Sequence, residues 1–212
     1  TVDGNYNVYT TTYTPSPGTS VNLTLKVSTT ATVKDATPVN GTVTGTNDID
    51  LLRGGSSSDT LDGGAGADIL RGGAGSDTLV FDSTDLLIDG GSGAGDVDAL
   101  RAMGDINLST LSDELIQNVE KIDLTSGNVN ATVTLLASDV AAINAEKTLL
   151  IDGAAGDSAR LIGPWVQAAN TETIGSQTYV AYTLDGSTVK VESSVVVTLL
   201  GTTGRDVFTA GA

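Results

Sequence analysis

Aspartates recur every nine residues between positions 50 and 77, and a glycine lies five residues before each of them. They are Asp50, Asp59, Asp68 and Asp77. Carboxylates are hard oxygen ligands, and the carbonyl oxygens of glycine-rich turns can complete an oxygen shell of the kind that Ca²⁺ prefers. The pattern therefore predicts that this stretch binds several calcium ions.

The candidate ligands extend from the first of these repeats to residue 98. Asp50 and Asp68 are expected on one side of the structure and Asp59 and Asp77 on the other, each pair flanking a metal. Asp96 and Asp98 either close a last calcium site or lie on a solvated turn. The full set of candidate metal ligands is Asp48, Asp50, Asp59, Gly63, Gly64, Gly66, Asp68, Gly72, Gly73, Gly75, Asp77, Asp96 and Asp98.

The nonapeptide GGAGADILR at 63–71 shows which elements must position these ligands. Its glycines favour a tight turn over the first six residues, and the last three residues form a minimal strand. Two nonapeptides then make one coil of a right-handed parallel β-roll. The thin interior would consist of the apolar residues that share this period, which are Leu52, Leu61, Leu70, Leu79 and Ile88.

That interior is too small to stabilise the roll without help. Burying a leucine contributes about 1.5–3 kcal/mol, whereas ordering one residue costs about 1–2 kcal/mol of backbone entropy. Because nine residues are ordered for each buried leucine, bound calcium has to supply the remaining stability. The alternative interpretation of the stretch is a flexible linker rich in Gly and Asp.

The composition excludes several classes of function. The 212-residue chain has 26 acidic and 10 basic residues, a net charge of −16 that disfavours nucleic acid and anionic membranes as partners. It contains no histidine and no cysteine. A zinc-protease HExxH site and a Ser–His–acid triad are therefore impossible, and an enzyme is not expected. No run of 18 apolar residues is present, so no membrane span is expected.

The whole chain is predicted to be mainly β, with the calcium-binding roll flanked by β-rich modules that carry one or two short helices. Leucines at 108, 111 and 115 have helical spacing and predict a helix at about 110–118, and a further helical turn or two is expected at 138–144. Asp185-Gly186 predicts a hairpin turn. Trp165 is expected to fill the core rather than to stack on a sugar.

Four segments are predicted from these patterns. Residues 1–44 form a β-strand cap or the tail of a preceding module, and residues 45–101 form the calcium roll. Residues 102–200 form a β-rich C-terminal module. Residues 201–212 begin a further repeat, since Gly201 to Thr209 again follows the nonapeptide pattern.

Residues 45–100 resemble the nonapeptide repeats of RTX proteins. The stretches that follow are similar to the C-terminal regions of large RTX adhesins exported by type I secretion, including biofilm and ice adhesins. The residues that carry this second resemblance are Ile116 to Leu124, Ala137 to Val140, Asp152 to Asp157, Gly163-Pro164-Trp165 and Gly175 to Tyr179. Residues 1–44 match no family in this way.

The resemblance implies a secreted protein, located outside the cell or on the bacterial cell surface. Its implied partners are calcium, the type I secretion machinery and the remainder of a larger adhesin chain, from which the start at Thr1 looks like a cut. Empty calcium sites would keep the chain unfolded in the cytosol, so that it can pass through the secretion channel. Extracellular calcium would then fold the roll and nucleate folding of the exported chain.

The alternative function is a calcium-dependent adhesion module that binds peptide, glycan or ice. An ice-binding face needs an outward row of Thr and Asn at the turns, and only Thr46 and Asn47 offer one, so ice is disfavoured. A peptide or sugar site within 102–200 stays open. Residues 152–157 could hold a further ion or form a plain turn.

Overall fold

The computed structural model describes the backbone of residues 2–3, 6–16, 19–28, 33–36, 41–126, 130–201 and 207–209. Side chains are described for 33–36, 41–126 and 130–201. Within these ranges the chain is mainly β-structure, as the sequence predicts. No helix among the described residues is long and apolar enough to cross a membrane.

The strands are numbered in chain order. Those of the first half are β1 (Val2–Asp3), β2 (Tyr6–Ser16), β3 (Thr19–Ser28), β4 (Val33–Asp35), β5 (Thr42–Thr46), β6 (Leu51–Gly55), β7 (Thr60–Gly64), β8 (Ile69–Gly73), β9 (Thr78–Val80), β10 (Leu87–Gly91) and β11 (Ala99–Arg101). Those of the second half are β12 (Ile106–Asn107), β13 (Ile116–Gln117), β14 (Lys121–Asp123), β15 (Thr132–Leu136), β16 (Thr148–Asp152), β17 (Ser158–Ile162), β18 (Val166–Ile174), β19 (Gln177–Leu184), β20 (Ser187–Glu192), β21 (Val196–Leu200) and β22 (Val207–Thr209).

The repeat strands alternate between two parallel sheets, as expected for a β-roll. One sheet has the order β13-β10-β8-β6-β4, and the other contains β11-β9-β7-β5. Leu52, Leu70 and Ile88 stand in register in the first sheet, and Leu61 and Leu79 in the second. All five are completely buried, which confirms the predicted interior.

The parallel stacking continues beyond residue 101. Strands β14, β16 and β20 extend the second sheet in the order β20-β16-β14-β11. Their apolar residues Ile122, Ile151 and Val191 join the same buried core as the repeat leucines. The second sheet continues without a break across residue 101. The predicted boundary between two modules at that position therefore stays a prediction.

A separate parallel sheet covers the second half. Its order is β12-β15-β17-β21-β22, and β22 runs antiparallel to β21. Residues 202–206 and 210–212 of the predicted further repeat lie outside the described residues. Strands β1 to β3 form an antiparallel sheet within the predicted 1–44 segment.

The predicted helix at 110–118 is wrong. A 3-10 helix at Leu108–Thr110 is followed by turns and by the short strand β13, which pairs in parallel with β10. Leu115 and Ile116 are buried there against the repeat core. Tertiary pairing with the exposed edge of β10 therefore overrides the helical spacing of the leucines.

Three other expectations are confirmed. The short helix α1 spans Ala137–Ile143. Strands β19 and β20 form a hairpin around Asp185 and Gly186, whose φ angles of 51° and 82° suit a tight two-residue turn. Trp165 is buried in the core, and its indole Nε1 donates to the carbonyl of Ile162 at 3.1 Å.

Candidate metal sites in the repeat turns

The repeat aspartates lie in two rows, one on each side of the roll, because each directly precedes a strand and the strands alternate between the two sheets. In the row on one side, the backbone N–H of Asp50 donates to Asp68 Oδ1 at 2.8 Å. On the other side, the N–H of Asp59 donates to Asp77 Oδ1 at 2.7 Å. Each carboxylate thus holds the turn of the preceding coil in place.

Both rows continue past the regular repeats. Asp85 Oδ1 accepts the N–H of Asp68 at 3.3 Å, which makes the first row Asp50, Asp68 and Asp85. Asp98 Oδ1 accepts the N–H of Asp77 at 2.7 Å, and Glu120 Oε2 accepts that of Asp98 at 2.9 Å. The second row is therefore Asp59, Asp77, Asp98 and Glu120.

Asp85 and Glu120 were not among the predicted site residues. In the regular repeats, the hydrogen-bonded neighbours within a row are 18 residues apart. Asp85 lies 17 residues after its neighbour and Glu120 lies 22 after its own, so a fixed period misses both. A better signal for Glu120 is an acidic residue two positions before a buried apolar residue. Glu120 lies two positions before Ile122, just as Asp77 lies two positions before Leu79.

One oxygen of several row carboxylates is buried without a protein partner. Oδ2 of Asp59, of Asp68 and of Asp77 accepts no hydrogen bond from any described residue. The three residues are 3%, 0% and 1% exposed. Leaving a buried acceptor unpaired costs about 1–3 kcal/mol and more when it is charged. A cation bound beside these oxygens would remove that cost.

Glycine keeps the space beside these oxygens open. A Cβ at Gly63 would lie 2.4 Å from Asp68 Oδ2, and one at Gly72 would lie 2.4 Å from Asp77 Oδ2 and 2.3 Å from a carbonyl of the next coil. Gly66 and Gly75 have φ angles of 139° and 100°, which side chains other than glycine rarely adopt. The predicted glycines Gly64 and Gly73 also have positive φ, at the ends of β7 and β8.

The remaining predicted ligands are placed differently. Asp96 is half-buried, and its Oδ2 accepts the N–H of Gly75 at 2.8 Å, so it joins the turn of a repeat two units earlier. Asp48 is exposed and lies outside both rows. Its backbone N–H donates to Thr46 Oγ1 at 3.1 Å, which shapes the first turn.

Burial and mutual repulsion raise the pKa of the row carboxyls. Burial raises the pKa of Asp77 to about 6, and the charges of Asp98, Asp59 and Asp96 add to the rise. Burial raises the pKa of Asp98 to about 6 as well, assisted by Glu120. When the row carboxyls are ionised, their burial and mutual repulsion therefore destabilise the fold.

The first row is perturbed in the same way. Burial raises the pKa of Asp68, and the charges of Asp50, Asp82 and Asp62 raise it further. Burial raises the pKa of Asp85 to about 7, with further contributions from Asp68 and Asp82. A cation bound along either row would remove this repulsion.

The donor chemistry fits calcium. Row carboxylates and turn carbonyls are oxygen donors, and the sequence has neither histidine nor cysteine to favour zinc. Among the residues that the structure describes, no group of three acidic, His or Cys side chains is arranged to hold a metal. Backbone carbonyls must therefore complete each oxygen shell, as Ca²⁺ with its six to eight oxygen ligands allows.

The turn at 152–157 contrasts with the repeat turns. Asp157 also accepts a backbone N–H of the preceding coil, that of Ala131 at 2.8 Å, but its second oxygen accepts the N–H of Ala154 at 2.7 Å. Asp152 accepts from Tyr179 Oη at 2.5 Å and pairs with Lys121 Nζ at 3.3 Å. Protein donors satisfy both side chains, which favours the plain turn over a further ion.

Comparison with known proteins agrees with this geometry. Residues 44–79 match the family model of the RTX calcium-binding nonapeptide repeat, in four copies. No curated protein and no solved structure matches the chain. The matched residues are thus RTX calcium-binding repeats, a structural rather than enzymatic family. The acidic rows on both sides of the roll run on beyond them.

Proposed function

We propose that this chain is a calcium-dependent folding module from the C-terminal region of a secreted RTX adhesin. In this proposal calcium binds outside the cell, closes the roll and nucleates folding of the rest of the exported chain. The observation that carries the proposal is the set of buried, unpartnered Oδ2 atoms of Asp59, Asp68 and Asp77. A fold that buries these charges needs the ion in order to form.

The energetics make the ion decisive rather than incidental. Without it, the rows place several like charges at successive coils around an interior only one side chain thick. With calcium at ten times its dissociation constant, each site adds about 1.4 kcal/mol to the free energy of unfolding. Several sites together amount to a large part of the 5–15 kcal/mol or so that typically stabilises a domain.

The same energetics suit export. Calcium sites of extracellular modules have dissociation constants of roughly 10⁻⁴–10⁻³ M. At submicromolar cytosolic calcium such sites stay empty and the chain stays unfolded enough to be threaded through the type I secretion machinery. At millimolar calcium outside the cell they fill. The module would then act at the cell surface or in the extracellular medium, as part of a larger adhesin.

The sheet topology supports the nucleating role. Strand β14 pairs with the last repeat strand β11, β16 pairs with β14, and β20 pairs with β16, all in parallel. Once the roll has formed, β11 therefore offers an ordered edge on which each later strand can add. Parallel pairing over long connections is slow to start, so a preformed edge would speed the folding of residues 102–200.

Calcium removal tests the proposal. We expect EDTA to abolish most of the β-sheet circular dichroism signal of residues 45–101 and to lower the melting temperature. Calcium should restore both, whereas magnesium should not, because Mg²⁺ demands octahedral geometry and gives up its water reluctantly. A spectrum and melting curve unchanged by chelation would contradict calcium-dependent folding.

A further inference from the structure

The turn at 81–86 takes the place of a repeat turn although it contains no glycine. The N–H of Leu86 donates to the carbonyl of Asp68 at 2.8 Å, and Thr84 Oγ1 donates to the carbonyl of Gly66. The turn therefore stacks directly on the repeat turn at 63–68. It lies outside the residues that match the RTX family model.

Asp82 gives this turn its shape. Its Oδ1 accepts the N–H of Thr84 at 2.8 Å, and its carbonyl accepts the N–H of Asp85 at 3.2 Å. Side-chain hydrogen bonds to the backbone two residues on are the usual substitute for glycine in tight turns. The turn thus keeps its place in the roll while bringing two extra carboxylates to it.

An unsatisfied oxygen of the repeat below belongs to Asp68, whose N–H donates to Asp85. Asp68 uses Oδ1 to accept the N–H of Asp50, and its Oδ2 is fully buried without a partner among the described residues. Gly63, whose Cβ would lie 2.4 Å from that oxygen, forms one wall of a cleft of about 330 Å³. Asp82 and Asp85 line the same cleft.

The hydrogen bonds of Asp85 leave it available to an ion. It is 7% exposed, yet the hydrogen bonds that its carboxylate accepts from the N–H groups of Asp68 and Asp82 are long, at 3.3 Å each. Bonds of that length are weak. Arg101, the basic residue of the cleft lining, is paired instead with Asp123, with 3.8 Å between Nε and Oδ2.

We propose that the calcium sites extend beyond the family repeats into this glycine-free turn, where Asp68 and Asp85 are the side-chain ligands of a further calcium ion. Asp82 adds negative charge beside the ion, and backbone carbonyls of the two stacked turns complete the oxygen shell. This inference rests on the proposed function, since it extends the same row of sites by one.

The test counts calcium ions by isothermal titration calorimetry on the whole chain. Asp85→Asn should bind one ion fewer than the unaltered protein, or bind one ion at least tenfold more weakly. Asp185→Asn is the matched control, because it removes the same charge from an exposed hairpin turn at the far end of the sheet. It should bind the full number of ions.

Asp82→Asn provides a second variant if Asp85→Asn fails to fold in calcium, since an amide oxygen can still accept from Thr84. Its last ion should bind several-fold more weakly. Full stoichiometry and unchanged affinities in every variant that folds would overturn the inference and leave calcium-dependent folding intact. A protein that binds no calcium before any substitution would overturn the proposed function itself.

Discussion

Asp77→Asn is the substitution that best separates a calcium ligand from a structural cap. The amide has the same shape as the carboxylate and can still accept the N–H of Asp59, which lies 2.7 Å from Asp77 Oδ1. The change falls on Oδ2, the buried oxygen with no partner among the described residues. It removes one negative charge from the middle of a row.

The expected effect changes sign with calcium. A pKa raised from 3.8 to about 6 means that the ionised carboxyl destabilises the calcium-free fold by about 3 kcal/mol at pH 8. The amide removes that penalty but leaves a buried N–H group unpaired, at about 1–3 kcal/mol. Without calcium the variant should therefore be as stable as the unaltered protein or about 2 kcal/mol more stable. With calcium at a hundred times its dissociation constant, loss of one site should cost about 2.7 kcal/mol.

Urea denaturation at pH 8 in excess calcium measures the loss of the site. Titration with the osmolyte TMAO in EDTA, which drives the unfolded calcium-free chain to fold, measures the calcium-free stability. Asp157→Asn is the matched control, because Asp157 occupies the same position before a strand but has protein donors for both oxygens. It should destabilise the fold equally in the two conditions. If Asp77→Asn behaves in the same way as the control, Asp77 is a structural cap and the assignment of its free oxygen to calcium is wrong.

Two further perturbations follow from the same contacts. Gly72→Ala should destabilise the calcium-bound fold by about 1–3 kcal/mol in urea titrations, which is the usual cost of overpacking, because the added Cβ would press on Asp77 Oδ2. Gly104→Ala is the control, and it should leave stability unchanged because a Cβ there would meet nothing within 4 Å. In EDTA the fold should become more stable as the pH is lowered from 8 to 5, since the pKa values of Asp77 and Asp98 near 6 and of Asp85 near 7 lie above that of an unfolded aspartate. In calcium the trend should reverse, because protons then compete with the ion. Osmolyte-induced folding in EDTA and thermal melts in calcium, both at constant ionic strength, measure the two trends. Stability in EDTA that rises with pH would contradict this electrostatic account.

The repeat region could be predicted from the sequence because its period fixes several properties at once. The nine-residue spacing places Leu61 and Leu79 in register inside the roll and puts Asp59 and Asp77 on one side of it. Few other folds satisfy the joint spacing of glycine, aspartate and leucine. Regular local geometry therefore carried the prediction.

The rest could not be predicted because its coils vary in length. Asp85 and Glu120 join the rows at spacings of 17 and 22 residues, and no fixed period finds them. Leu108, Leu111 and Leu115 have helical spacing, yet the residues that follow form a coil of the roll because β10 presents an unpaired edge to β13. Which strand pairs with that edge depends on the folded roll rather than on local preference.

Hydrogen exchange with and without calcium tests the central claim most directly, because it reports on each strand separately. With calcium, the amides of β6 to β9 and those of β14 and β16 should be strongly protected. With EDTA, protection should be lost across the repeat strands and also across the strands that pair onto them. Equal protection of the repeat strands in the two conditions would contradict calcium-dependent folding of the roll.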